Sequence, residues 1–145
     1  MPLFLPELII GAGMIAVTVA IHAGFMAALI EWGRAHPPRL DSGFRRTGTV
    51  AVVVIWFFLA IAVESWAWAG LFYFLGAFDD METALYFTTV TYTTLGYGDV
   101  VLDKGLRLLS AFAAANGTII IGWTTALVFL TVQRVYELKP PARKE

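Results

Sequence analysis

The sequence predicts an all-α membrane protein. Three transmembrane helices are expected, with a re-entrant helix and loop between the second and the third. Apolar residues make up 59% of the 145 and charged residues only 14%, against about 25% charged in a soluble domain. Three apolar stretches reach the roughly 20 residues that a bilayer crossing needs. The stretch between the last two, Asp79 to Asp103, is too polar and too short to span and return as helices. Such backbone is tolerated at membrane depth only when it is buried in protein or lines a wet path. At this length the chain is one domain. A net charge of −1 gives no basic surface for nucleic acid, and the absence of cysteine leaves no disulfide frame or thiolate metal site. His22 and His36 are too few and too scattered for a metal centre. Nothing calls for a cofactor or for catalysis.

The first crossing runs from about Leu8 to Ile30. It lacks a basic leader, and its apolar run exceeds that of a signal peptide, so it is read as a membrane helix. Ala12, Ala16, Ala20, Gly24 and Ala28 form a stripe of small residues that lets helix backbones approach closely in lipid. The stripe is expected to dock on the second crossing or on a neighbouring subunit. His22 lies off the stripe and is expected to hydrogen-bond a neighbouring helix.

The second crossing runs from about Val50 to Phe78 and contains Glu64. A carboxylate there is costly and marks function by default. Counted from the inner end, Glu64 sits about 24 Å up and His22 about 12 Å lower, so the two are not expected to meet. Thr88, Thr91 and Tyr92 are its candidate partners. Alternatively, Glu64 ends a shorter helix at headgroup level, and residues 66–78 form a separate cap.

The third crossing runs from about Leu108 to Val132. Arg34, Arg39, Arg45 and Arg46 lie between the first two crossings, and Arg134, Lys139, Arg143 and Lys144 follow the third. Only Lys104 and Arg107 lie on the other side. The positive-inside rule makes the 31–49 loop and the C-terminus cytoplasmic and the N-terminus external. Trp32 is assigned to the inner aromatic belt, Trp66 and Trp68 to the outer one.

In the re-entrant segment, Asp79 or Asp80 caps a helix reaching about Tyr92, and Asp79 with Glu82 has the spacing of a capping box. The next seven residues, Thr93 to Asp99, read T-T-L-G-Y-G-D. A loop that strips water from a cation must replace the water oxygens, and inward-pointing backbone carbonyls do this. The path needs positive φ, which glycine supplies without steric cost. Gly96 and Gly98 alternate with Leu95 and Tyr97, and Thr94 adds a hydroxyl at the lower end.

This run resembles the selectivity filter of tetrameric potassium channels, whose usual form is T-V-G-Y-G followed by Asp; Leu95 is the departure. The resemblance covers about Thr49 to Val135. It implies a potassium channel subunit with one filter strand per chain, hence a homotetramer. K+ is then the permeant ion, held by the carbonyls of Thr94, Leu95, Gly96 and Tyr97, with Gly98 completing the filter. Thr93, Asp99, Tyr86 and Phe87 would support it, Tyr86 bonding Asp99 and the two aromatics packing around Tyr97. Val90 stands where some relatives carry a carboxylate behind the filter.

In the third crossing the resemblance places Gly117 at a gating hinge; close packing against the outer helix is the alternative, and Gly122 serves packing alone. Thr118, Ile121, Thr125 and Phe129 share one helical face, which the resemblance turns to the pore, with Phe129 as a constriction. Asn116 is expected to bond a neighbouring helix. Glu64 is a candidate pH sensor. The expected organisation is a first helix and basic loop over residues 1–48, a pore domain over 49–135 and a tail over 136–145. The chain is placed among lipids as a multi-pass protein of the plasma membrane, a bacterial inner membrane. A non-selective cation channel on the same fold, or a non-conducting regulatory subunit, remains open.

Overall fold

The computed structural model describes residues 5–37 and 40–136. Arg39, Lys139, Arg143, Lys144 and almost all of the expected tail lie outside the described residues. Four α-helices form, and no strand among the described residues: α1 (Leu5–Ala35), α2 (Gly43–Phe74), α3 (Met81–Tyr92) and α4 (Arg107–Val135). The first, second and fourth are long and apolar enough to cross a membrane. All three overrun the expected crossings at their arginine-bearing ends.

Each boundary has a local cause. Ser42 caps α2 by accepting from the Arg45 backbone N–H at 3.4 Å. At its other end, Gly76 takes φ 70°. Ala77 N–H then reaches Phe72 O at 2.9 Å and Gly76 N–H reaches Tyr73 O at 3.0 Å. This is a Schellman stop, and it ends α2 at Phe74, short of the expected Phe78. Residues 66–74 therefore continue α2, and no separate cap forms over them. Glu64 lies mid-helix with both flanks helical. Asp80, not Asp79, caps α3: its carboxylate accepts from Thr83 N at 2.7 Å and from Thr83 Oγ1 at 2.8 Å. The start of α4 has no capping side chain of its own. Glu7 of α1 supplies the acceptor, taking the Leu108 N–H at 3.2 Å. A carboxylate there answers both an orphan donor and the positive end of the helix dipole.

α2 and α4 pack against each other, and each also touches α1 and α3. The core lies among Trp68 and Phe72 of α2, Phe87 and Tyr92 of α3, and Leu109, Ala113 and Ile120 of α4. Phe72 meets Phe87 edge-on, with ring centroids 5.5 Å apart. Trp68 is therefore core, fully buried, and not a belt residue; Trp66 and Trp32 are exposed.

The small-residue stripe of α1 does not face α2. Ala12, Ala16, Ala20, Gly24 and Ala28 are all exposed on the single chain. The docking face is Gly11, Thr18 and His22, the three buried residues of α1. A Cβ on Gly11 would come within 2.7 Å of the Phe112 ring. Lower down, the Trp56 indole N–H donates to Phe25 O at 2.9 Å.

Candidate functional site

The T-T-L-G-Y-G-D loop leaves the C-terminus of α3 through a tight set of backbone bonds. Thr94 N–H reaches Thr91 O at 3.0 Å, and the N–H groups of Leu95 and Gly96 share Val90 O at 2.9 and 3.1 Å. The Thr93 hydroxyl turns back to Thr89 O at 2.7 Å. Beyond this point φ is positive at Thr94 (60°), Gly96 (59°) and Gly98 (78°), and not at Leu95 or Tyr97. Positive and negative φ thus alternate along the loop from Thr94 to Gly98. A β-branched residue at positive φ is a genuine outlier, so Thr94 holds strain that a glycine would not.

The aromatic surroundings divide into two. The Tyr86 hydroxyl donates to Asp99 Oδ2 at 2.7 Å, the pairing implied by the resemblance. That bond holds the Asp99 carboxyl below the usual carboxylate range and raises the Tyr86 phenol above its ordinary value. Phe87 departs from expectation. It turns into the core against Phe72 and Phe78 and does not pack around Tyr97. Tyr97 is 67% exposed on the single chain. At the entry to α3, the Thr83 backbone N–H and then its hydroxyl hold Asp80 below the ordinary aspartate value.

Behind the loop lies a buried polar chain. His22 Nδ1 stands 3.0 Å from Glu64 Oε1, and the Tyr92 hydroxyl donates to Glu64 Oε2 at 3.0 Å. The far ring nitrogen of His22 lies 3.4 Å from Thr124 Oγ1. Glu64 does meet His22, against the count along the two helices. α1 and α2 run antiparallel, and each side chain leans toward its own helix N-terminus. The two therefore lean toward one another, which a count of Cα rises ignores. Of the three expected partners only Tyr92 bonds Glu64; Thr88 Oγ1 is buried without a partner. With valine at position 90, α3 places no carboxylate there, and the buried carboxylate that meets Tyr92 is Glu64, delivered from α2.

A second cluster centres on Asn116. Its Oδ1 accepts from the Thr18 hydroxyl at 2.7 Å and from the Trp68 indole at 3.0 Å, joining α1, α2 and α4. The helix bonding expected of Asn116 is thus present. His22 bonds neighbouring helices as expected, but its pairing with Glu64 and the part of Thr18 in the Asn116 cluster were missed. A signal was there: Gly11, Thr18 and His22 recur at spacings of seven and four, on one helical face, and polar residues in a membrane helix turn inward.

Gly117 is buried, and a Cβ on it would stand 1.8 Å from the carbonyl oxygen of Tyr92. This is the close approach that was one of its two readings, although the partner is α3 and not the outer helix. Gly122 is exposed with nothing within 4 Å of such a Cβ, so it serves no packing within the chain. Along the adjoining face Thr118, Thr125 and Phe129 are exposed and Ile121 is half-buried.

No curated protein and no solved structure was found to match the chain. One family model does match, over residues 47–134, and its description is "Ion channel". That stretch holds most of α2, all of α3 and the glycine loop, and nearly all of α4. By this match the chain, a multi-pass membrane protein with three apolar helices, belongs to the ion channel family, with a two-helix channel domain of the potassium-channel-like kind.

Proposed function

We propose that the chain is one subunit of a potassium-selective channel, conducting K+ passively through a ring of backbone carbonyls. One observation carries the reading: φ is positive at Thr94, Gly96 and Gly98 in alternation, at the C-terminal end of α3. Aligned carbonyls replace the hydration shell of a cation, and the negative end of the α3 dipole adds to the attraction. A single chain supplies one strand of such a ring, so four chains complete it. Thr94 to Gly98 form the filter, with K+ at the carbonyls of Thr94, Leu95, Gly96 and Tyr97. Thr93, Asp99 and Tyr86 hold it in place, while Phe87 packs in the core behind α3. Thr118, Ile121, Thr125 and Phe129 then line the path below, and Gly117 fixes α4 against the filter helix. Arg34, Arg45, Arg46 and Arg134 place the linked ends of α1 and α2 in the cytoplasm and the filter mouth outside. Glu64, one hydrogen bond from the last residue of α3, is the group through which protons act on the filter.

Flux into liposomes containing only the purified chain tests this. K+ gradients should drive flux and equal Na+ gradients should not. Gly96→Ala should abolish K+ flux, since a Cβ at φ +59° is strained by about 1–2 kcal/mol in each of four chains. Equal K+ and Na+ flux would mean a non-selective channel, and no flux a regulatory subunit.

A further inference from the structure

We propose that the arginine-bearing ends of α1, α2 and α4 form a binding site for an anionic phospholipid. A groove of about 1220 Å³ opens there between the three helices. Its floor is apolar, with Leu29 and Ile30 from α1 and Val52 and Val53 from α2, and its wall carries Arg34, Arg45 and Arg134, one arginine from each helix. Among the described residues, no aspartate or glutamate lines it. Arg45 is bridged to Asp41 at 2.6 Å, and the described ion pairs do not include Arg34 or Arg134. Among the described residues, Arg34 and Arg134 therefore face an apolar cleft without an ion-pair partner.

The depth selects the occupant. The groove lies where three membrane-crossing helices end, which is headgroup level. Trp32 and Phe44 beside it are exposed aromatics at the same level, where amphipathic rings sit at a membrane interface. An acyl chain fits the floor and a phosphate fits the arginines; a basic pocket between helices at this level suits an acidic headgroup. A soluble anion would use the arginines and leave the apolar floor unfilled. The rim is also built. Arg46 Nε donates to Leu40 O at 3.0 Å, and Thr47 Oγ1 lies 3.1 Å from the Tyr136 hydroxyl, tying the end of α4 to the start of α2. α1 contributes Leu29, Ile30 and Arg34, and it lies outside the matched channel domain. The site therefore does not depend on which ion is conducted.

The test is lipid retention by the purified full-length chain, equilibrated with equal phosphatidylglycerol and phosphatidylcholine and read by mass. Wild type should retain phosphatidylglycerol preferentially. Arg34→Ala with Arg134→Ala should weaken that retention about thirtyfold, from about fivefold for each cation near the surface. Arg34→Lys with Arg134→Lys should restore most of it, and Lys104→Ala at the opposite face should change nothing. Val52→Trp fills the floor without altering charge and should also lower retention; it decides the matter if the double alanine variant fails to fold. Equal retention of both lipids by wild type, or an equal loss in Lys104→Ala, overturns the proposal. Displacement of the lipid by millimolar inorganic phosphate alone would assign the groove to a free anion and overturn it too.

Discussion

His22 Nδ1 lies 3.0 Å from Glu64 Oε1, with both side chains at 0% exposure. One comes from the helix outside the channel domain and the other from inside it. Removing one partner of such a pair leaves a buried polar group uncompensated, at about 3–5 kcal/mol, whereas replacing both by apolar residues is often neutral. His22→Ala should therefore lower the unfolding temperature strongly, and His22→Leu with Glu64→Leu should recover much of the loss. Wild-type stability in the single variant would show that the pair constrains nothing.

The same carboxylate yields a functional prediction. The groups facing Glu64 are His22 from α1 and Tyr92 from α3; the nearby polar groups of α4, Thr124 and Asn116, do not titrate. K+ flux in wild type should vary with pH, and Glu64→Gln should flatten the profile. Identical profiles would leave Glu64 a structural residue.

Gly117 and Gly122 should respond oppositely to alanine. At Gly122 nothing opposes a Cβ, so the substitution should gain up to about 1 kcal/mol of helix propensity. At Gly117 the obstacle is the backbone of Tyr92, which cannot swing away as a side chain would. The expected loss is about 1–3 kcal/mol or more, with loss of flux, because the displaced residue directly precedes the T-T-L-G-Y-G-D loop. Thermal unfolding of the two variants reads the sign; equal effects would remove the close-packing account.

The Tyr86–Asp99 bond has an acid limit. The Asp99 carboxyl is held low in the folded chain by the Tyr86 hydroxyl. Its stabilisation is complete above the unfolded aspartate value, about 3.9, and is lost as pH falls through the lower folded value. Near neutral pH this bond should therefore give no pH dependence. In Tyr86→Phe the external pH at which flux is half lost should move upward, toward the ordinary aspartate range. An unmoved midpoint would mean that another group sets it.

Phe129 is 59% exposed near the C-terminal end of α4. If four copies meet there as a hydrophobic constriction that closes by dewetting, Phe129→Ala should raise basal K+ flux. Unchanged flux would move the gate to the filter.

The helices and the loop were legible because their signals are local. Apolar runs, an aspartate at 79 or 80 ahead of α3 and the glycine alternation at Gly96 and Gly98 are read within a few residues, although the capping-box spacing pointed to Asp79 and Asp80 is the cap. Thr94 at positive φ was not legible, since it goes against its own propensity and is held by the bonds around it. The contacts of α1 were misjudged for a geometric reason. The five small residues do not dock on α2; Gly11, Thr18 and His22 hold the contact face instead, which leaves the stripe for the expected alternative of a neighbouring subunit. The lean of the side chains shortened a gap that rise per residue left open. Trp68 was placed by its position near a helix end, yet its indole N–H has a buried acceptor in Asn116, which only the packing of α2 on α4 creates.

That Asn116 acceptor draws a boundary. The channel domain by sequence begins at residue 47, but the hydrogen bonds of its interior do not close there. Cutting the chain ahead of α2 would strip Asn116 of Thr18, Glu64 of His22 and the start of α4 of Glu7, and would open the Phe112 face to lipid. Each is a separate penalty, spread from one end of α1 to its middle. The smallest unit that conserves the channel signature is therefore smaller than the smallest unit that keeps these three buried or capping bonds. Transplanting the pore of this protein onto another scaffold requires carrying α1 with it.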